Sequence, residues 1–245
     1  MSKMFTKPQS MKDIPTHYCP GCGHGLIHRL ICEVIDEIGI KENTVAIAPV
    51  GCAVLAYDYW DFDTMEAPHG RTPAVATGVK RVLPDRLVFT YQGDGDLAAI
   101  GTAEIIHTGN RGENISVIFV NNGVYGMTGG QMAPTTLLGQ RTATSQFTRR
   151  SEKEGFPLKI MEMMAVLPGV TYLERTSIHS PKEIIKTKNA IKRSFDAQLK
   201  EKGFSMVEVL SPCPTYWGLN PVESMKRIEE EVVKEYPLGV IKENL

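Results

Sequence analysis

The 245-residue chain has almost no net charge: 27 Lys and Arg stand against 28 Asp and Glu, a formal −1 at pH 7. Nothing general therefore draws it to nucleic acid. No apolar run approaches the roughly 20 residues that a membrane-spanning helix needs. The polar opening MSKMFTKPQS is no secretory signal, so a cytoplasmic protein is expected. Internal repeats and low-complexity tracts are missing. So is any Pro-, Gly- or Ser-rich linker, and residues 1–245 read as one domain. Cysteine is scarce as well. Five cysteines, an odd number in a cytosolic chain, point to metal ligands plus a spare rather than to disulfides. With 42% hydrophobic and 22% charged residues the chain is globular and long enough for a large core.

The most informative stretch is 91–131, YQGDGDLAAIGTAEIIHTGNRGENISVIFVNNGVYGMTGGQ. The pattern predicts a buried strand over 87–91 that runs into Gly93-Asp94-Gly95-Asp96. A helix over 97–107 follows, then a strand over 115–120 that ends on Asn121-Asn122. That order is a βαβ unit with two polar turns at strand ends, and in a parallel sheet both lie at the carboxyl edge, where α/β folds bind ligands. Gly93 and Gly95 let backbone N–H groups approach a phosphate. Asp94 and the amide oxygen of Asn121 or Asn122 can share one hard cation. Magnesium suits, because it takes few protein oxygens and keeps phosphate oxygens in its shell. The residues thus describe a Mg-bridged diphosphate site, although a lone Gly-Asp-Gly is more often a plain turn.

Four of the cysteines fall at or beside turns. Cys19-Pro20-Gly21-Cys22 is a loop whose thiolates can point at one metal, as a redox dithiol or half a zinc site also would. Cys52 follows a strand predicted over 44–50. Cys213, between two prolines, follows one over 204–210. Cys32 sits on the apolar-striped helix predicted over 26–38 and reads as a packed thiol. Four thiolates serve zinc or an iron–sulfur cluster, and spacing alone does not choose between them.

Further candidates flank the central unit. In EAPHGRTPAVATG, residues 66–78, His69 and Arg71 bring donors, and Ala74, Ala76 and Gly78 allow close backbone approach. The loop over 124–144 is rich in Gly, Thr, Met and Gln. Met127, Thr128 and Gln131 are its candidates for contact with a diphosphate or a substrate carboxylate, and 135–145 reads as a lid or intersubunit contact. Residues 1–18 read as an arm lying on a partner. Glu104 and His107 read as ordinary helix polar residues. Later, the pattern predicts helices over 160–166, 181–199 and 221–233, a strand over 170–173 and a tail over 236–245. Strands alternating with helices make the fold α/β, a mostly parallel sheet with helices on both faces.

The GDG…NN spacing resembles the diphosphate motif of thiamine-diphosphate enzymes. With Gly126-Met127-Thr128-Gly129-Gly130-Gln131 and THYCPGCGHG, the chain is similar to the β subunits of 2-oxoacid:ferredoxin oxidoreductases. The resemblance implies the thiamine-diphosphate-binding, or pyrophosphate-module, fold. It implies Mg²⁺ on Asp94, Asn122 and the Val124 carbonyl. His69, Arg71, Gly93, Gly95, Asp96, Met127 and Thr128 would lie around the cofactor. A [4Fe–4S] cluster would sit on Cys19, Cys22, Cys52 and Cys213. The implied activity is CoA-dependent oxidative decarboxylation of a 2-oxoacid, with electrons passed to ferredoxin. An α subunit would supply the activating glutamate, leaving this chain inactive alone. A γ subunit or domain and a small ferredoxin-like δ subunit are further expected partners. The motifs look most like the 2-oxoisovalerate (branched-chain) members, then the 2-oxoglutarate members, with pyruvate and indolepyruvate still open. Ferredoxin is acidic, so Lys186, Lys188, Lys192 and Arg193 on the 181–199 helix could attract it. Two rivals stay open: a non-oxidative thiamine decarboxylase or carboligase, and a zinc-stabilised scaffold subunit.

Overall fold

The computed structural model describes residues 6–245. Its strands are β1 (Thr44–Ala48), β2 (Asp63–Glu66), β3 (Leu87–Gly93), β4 (Ser116–Asn121), β5 (Val124–Tyr125), β6 (Gln131–Met132), β7 (Val170–Ser177), β8 (Phe204–Leu210) and β9 (Gly239–Glu243). Seven form one sheet in the order β2-β1-β3-β4-β8-β7-β9. All neighbours in it are parallel except β7 and β9. β5 and β6 make a separate antiparallel hairpin.

Every residue of β1, β4 and β8 is buried. Parallel strands covered on both faces need such unbroken apolar runs. Alternation then divides the core. Phe89, Tyr91, Ile118, Val120, Val207 and Val209 pack with the helices His24–Ile38 and Pro181–Leu199. Val88, Val117, Phe119 and Met206 face the opposite way, towards the helices Thr72–Val82, Thr102–Asn110 and Ile160–Ala165. The expected layers, helices on both faces of a mostly parallel sheet, are those observed.

Several local expectations need correction. The helix after the GDGD turn opens as a π-turn, Asp96–Ile100, before the α-helix Thr102–Asn110. There Gly70 and Gly101 touch, and a Cβ on Gly101 would lie 2.7 Å from the Gly70 carbonyl. That close approach, which only glycine permits, seats the His69–Gly70 loop against the turn. The 236–245 segment is no free tail, because its β9 pairs with β7 along Leu173↔Lys242. β2 was not anticipated, since its four residues are mostly exposed and carry no apolar run.

The arm behaves differently as well. Residues 1–5 lie outside the described residues. Beyond them, the backbone N–H groups of Gln9 and Ser10 donate to the Asp36 carboxylate at 2.6 and 3.1 Å, and Met11 bridges Trp60. Residues 9–12 are therefore held by the helix His24–Ile38 and the 57–60 segment of this same chain. The basic face of Pro181–Leu199 is neutralised. Lys186 pairs with Glu183 and Lys188 with Glu33, each at 2.8 Å. Lys192 reaches Glu37 at 3.5 Å, and Arg193 reaches Glu174 at 2.5 Å. Such a face offers an acidic partner little unpaired charge. Among the described residues, no helix is long and apolar enough to cross a membrane.

Candidate functional site at the carboxyl edge of the sheet

Parallel pairing places the carboxyl ends of β1, β3, β4 and β8 side by side, with Gly93 opposite Val120 and Asn121 opposite Leu210. The connection after β1 leads outward to β2, and the one after β3 leads the other way to β4. A crevice opens where connections diverge like this. It is a cleft lined by His24, Cys52, His69, Asp94, Asn122 and Met127, which come from several separate segments of the chain.

Asp94 is buried at its floor. Its Oδ2 accepts from the Gly123 N–H at 2.6 Å, the Asn122 N–H at 3.3 Å and the Thr135 hydroxyl at 2.6 Å. Oδ1 accepts only from the Gly95 N–H, at 2.9 Å. Burial lifts the Asp94 carboxyl to about 6, against the downward pull of those donors. One oxygen is thus anchored three ways while the other is bound once. Asn122 stands directly across the turn. Its Oδ1 accepts the Val124 N–H at 3.1 Å, and its carbonyl accepts the Trp217 indole N–H at 3.0 Å. Asn121 turns away, donating to Glu208 at 2.7 Å. Of the two asparagines, Asn122 is the one that lines the cleft. Val124 also lines the cleft. A carboxylate, an amide and a nearby carbonyl form the hard oxygen set that suits magnesium.

Asp96 works inward. Its Oδ1 accepts from His69 Nδ1–H at 2.5 Å and from the Gly70 N–H at 2.8 Å. Gln92 Nε2–H and the Thr72 hydroxyl donate to Oδ2 at 2.6 and 3.4 Å. Asp96 therefore fastens the His69 loop to the GDGD turn. Arg71, expected beside the cofactor, does not line the cleft; it pairs with Glu104, and 51% of its side chain is exposed. Glu104, on the helix Thr102–Asn110, is thus the partner of Arg71. A Cβ on Gly95 would meet the Tyr125 ring at 2.2 Å, and the Tyr125 hydroxyl donates to the Gly95 carbonyl at 3.2 Å. Met127 and Thr128 reach the rim. Gln131 does not; it hydrogen-bonds Thr128 at 2.7 and 2.8 Å.

A second cleft, with about 710 Å³ of space, is lined by Cys19, Cys22, Cys52 and Cys213 together. All four are free thiols. Burial pushes Cys22 up to about 11 and Cys213 up to about 12. Gly126 sits between two of them, where a Cβ would lie 3.0 Å from Cys52 Sγ and 3.8 Å from Cys213 Sγ. Among the described residues, no three His, Cys, Asp or Glu side chains converge closely enough to hold a single metal ion. The fifth cysteine, Cys32, is buried in the core and donates to the Ser10 carbonyl at 3.4 Å. His24, Cys52, Asn122, Gly126 and Met127 line both clefts, so the two clefts share a wall and the Cys52 thiol belongs to it.

Comparison with known proteins agrees with this geometry. Residues 49–209 match the family model of the thiamine pyrophosphate enzyme C-terminal TPP-binding domain. Subunit KorB of 2-oxoglutarate synthase from Methanocaldococcus jannaschii is 35% identical over 90% of this chain and 79% of its own length. The chain belongs to the family of 2-oxoacid:ferredoxin oxidoreductase β subunits. Ketoisovalerate oxidoreductase subunit VorA from Methanothermobacter thermautotrophicus is 48% identical over 96% of the chain. The chain spans only about half, 52%, of that relative's length. A solved 2-oxoglutarate:ferredoxin oxidoreductase from Magnetococcus marinus, with 2-oxoglutarate, coenzyme A and succinyl-CoA bound, superposes with a TM-score of 0.81. It has 25% identity and covers all of this chain and 87% of its own.

In this β-subunit family member, residues not singled out as cofactor or metal contacts from sequence complete the site. Thr135 holds Asp94 from 41 positions away, and Trp217 holds Asn122 from 95. His24, whose Nδ1 lies 2.7 Å from the Tyr91 hydroxyl, stands between the clefts. Burial lowers its imidazole to about 4, with His17 adding to the effect. Its place directly after Cys22-Gly23 was the one available signal.

Proposed function

We propose that this chain is the cofactor-holding β subunit of an oxidoreductase that converts a branched 2-oxoacid, CoA and oxidised ferredoxin into acyl-CoA, CO2 and reduced ferredoxin. The observation that carries the reading is the shared wall between the Asp94–Asn122 turns and the four-thiol cleft. Thiamine diphosphate, when bound, supplies an electron sink for decarboxylation. Asp94, Asn122 and the Val124 carbonyl would hold Mg²⁺ against its diphosphate, with Gly93 and Gly95 leaving room for the phosphates. Gly95 also lets the Tyr125 ring close over the turn. Asp96 keeps His69 at the rim, and Met127 and Thr128 cover the mouth.

Cys19, Cys22, Cys52 and Cys213 would hold a [4Fe–4S] cluster. One zinc ion needs thiolates at about 2.3 Å, and therefore a tight convergence. Four thiols spread around a cleft, with no three close enough for one ion among the described residues, support the larger group. A thiol cleft directly against the cofactor floor also favours oxidative over non-oxidative chemistry.

The substrate reading rests on what the cleft contains. Val50, Ala53 and Met127 give it apolar lining, and no Lys or Arg among the described residues lines it. A branched alkyl chain would pack on these apolar side chains, whereas a second carboxylate, as in 2-oxoglutarate, would find no Lys or Arg partner among them. The similarity to VorA, named for ketoisovalerate, agrees. That relative is named as a subunit, and an α partner that supplies the activating glutamate is part of the proposal. The test is anaerobic co-purification with that partner, followed by iron, acid-labile sulfide and thiamine analysis. CoA-dependent viologen reduction is then compared for 2-oxoisovalerate and 2-oxoglutarate. Zinc without iron, together with no bound thiamine, would sink the reading; faster turnover of 2-oxoglutarate would overturn the substrate alone.

A further inference from the structure

Behind the two turns runs a row of buried polar groups that neither cleft uses. Asn121 Nδ2 donates to Glu208 Oε1 at 2.7 Å, and Arg175 Nε donates to Glu208 Oε2 at 2.6 Å. Arg175 and Glu208 are both essentially inaccessible. The Arg175 guanidinium lies 5.3 Å over the ring of Tyr236. The Tyr236 hydroxyl donates to the Thr135 carbonyl at 3.0 Å, and the Thr135 hydroxyl donates to Asp94 at 2.6 Å. Arg149 steadies the same loop, donating to the carbonyls of Pro134 and Thr136 at 2.8 and 2.7 Å. One line of contacts thus starts beside Asn122, crosses β8 and β7, passes through the carboxyl-terminal segment and returns to Asp94.

We propose that the buried line Asn121–Glu208–Arg175–Tyr236–Thr135 is a positioning device that sets the Asp94–Asn122 gap for a divalent cation. The inference rests on the reading of that pair as the metal-holding residues. A buried ion pair such as Arg175–Glu208 is a poor means of gaining stability, since desolvation offsets its attraction. It does impose direction, and here it directs Asn121 away from the cleft while Asn122 faces in. At the other end, Thr135 contributes one of the three donors that fix Asp94 Oδ2, which leaves Oδ1 turned to its single partner. Tyr236 lies beyond residues 49–209, the stretch shared with the general thiamine family. Its grip on Thr135 therefore comes from outside that stretch.

Tyr236→Phe removes one hydroxyl and keeps the ring in its packing with Leu210, Ile228 and Val232. The test uses the full protein with its partner, stripped anaerobically of divalent metal. Mn²⁺ is titrated at saturating thiamine diphosphate by electron paramagnetic resonance, with Trp217 fluorescence as a second readout because its indole bonds the Asn122 carbonyl. Loss of one such hydrogen bond should raise the Mn²⁺ Kd about five-fold in Tyr236→Phe and at least that much in Thr135→Val. The double variant should bind no worse than Thr135→Val, because both act through one hydroxyl. Thr135→Ser, which keeps the hydroxyl, should bind like wild type. Wild-type affinity in Tyr236→Phe, or effects that multiply in the double variant, overturns the positioning role. Wild-type protein that binds no Mn²⁺ instead overturns the reading of Asp94 and Asn122 themselves, and this inference with it.

Discussion

The substitution Asp94→Asn should make the metal-free protein more stable while abolishing its response to the cofactor. The rise of the Asp94 carboxyl from an ordinary 3.8 to about 6 corresponds to about 3 kcal/mol spent on keeping it ionised above neutral pH. The replacement amide would carry no charge and keep one acceptor oxygen for the three donors now on Oδ2. Its N–H2 would then face the Gly95 N–H, losing a bond of about 1 kcal/mol. The net gain at pH 8 is about 2 kcal/mol, or roughly 5 °C in melting midpoint for a chain of this size. The pH dependence follows from the direction of the shift. A carboxyl whose pKa is raised by folding binds its proton more tightly in the folded state. Its contribution is full below pH ~4 and lost as pH rises through about 6. An amide has no such loss, so the variant's advantage should be small at pH 5 and complete by pH 8. Anaerobic thermal melts in chelator across that range measure it. Adding Mg²⁺ and thiamine diphosphate should reverse the order, since a ligand at about 100 times its Kd adds about 2.7 kcal/mol to wild type only. A variant less stable than wild type at pH 8 without metal, or a difference flat from pH 5 to 8, would refute the reasoning.

Other substitutions separate the parts of the site. Gly126→Ala puts a methyl 3.0 Å from Cys52 Sγ and 3.8 Å from Cys213 Sγ. Iron per chain should fall while bound thiamine holds, and an unchanged iron content would show that Gly126 does not make room for the cluster. Gly95→Ala drives a methyl into the Tyr125 ring at 2.2 Å. Such overpacking should weaken thiamine diphosphate binding about ten-fold, a change that equilibrium dialysis would detect and whose absence would count against the turn as the diphosphate seat. Arg71→Ala breaks only a half-exposed pair with Glu104. Thiamine affinity should stay within about two-fold and the melting midpoint should barely move; a ten-fold loss of affinity would return Arg71 to the cofactor.

Some of this was legible before any coordinates. Glycine's backbone freedom, the period of two in strands and the common carboxyl edge of parallel strands are local or topological rules. Gly93-Asp94-Gly95 and Asn121-Asn122 at two strand ends therefore already implied that the turns are neighbours, which the bond from the Asn122 N–H to Asp94 shows. Four cysteines at or beside turns likewise implied a shared edge rather than a core, whereas Cys32, on the apolar stripe of its helix, is buried as expected.

Direction was not legible. Beyond the end of a strand no period says which way a side chain points. Only the packed chain sends Asn122 into the cleft and Asn121 to Glu208, and turns Arg71 to Glu104. The charges of Pro181–Leu199 looked free in sequence because most of their carboxylate partners, Glu33, Glu37 and Glu174, sit on other elements. Thr135 was read only as part of a lid or intersubunit contact and Tyr236 as part of a tail, since a hydroxyl 41 positions from its acceptor has meaning only once the sheet has brought both to one edge. The amino-acid order thus determined which chemistry the chain can carry, through rules that act within a strand and its turn. Which side chains perform it was decided by the tertiary structure, because long-range burial alone determines where each polar group finds its partner.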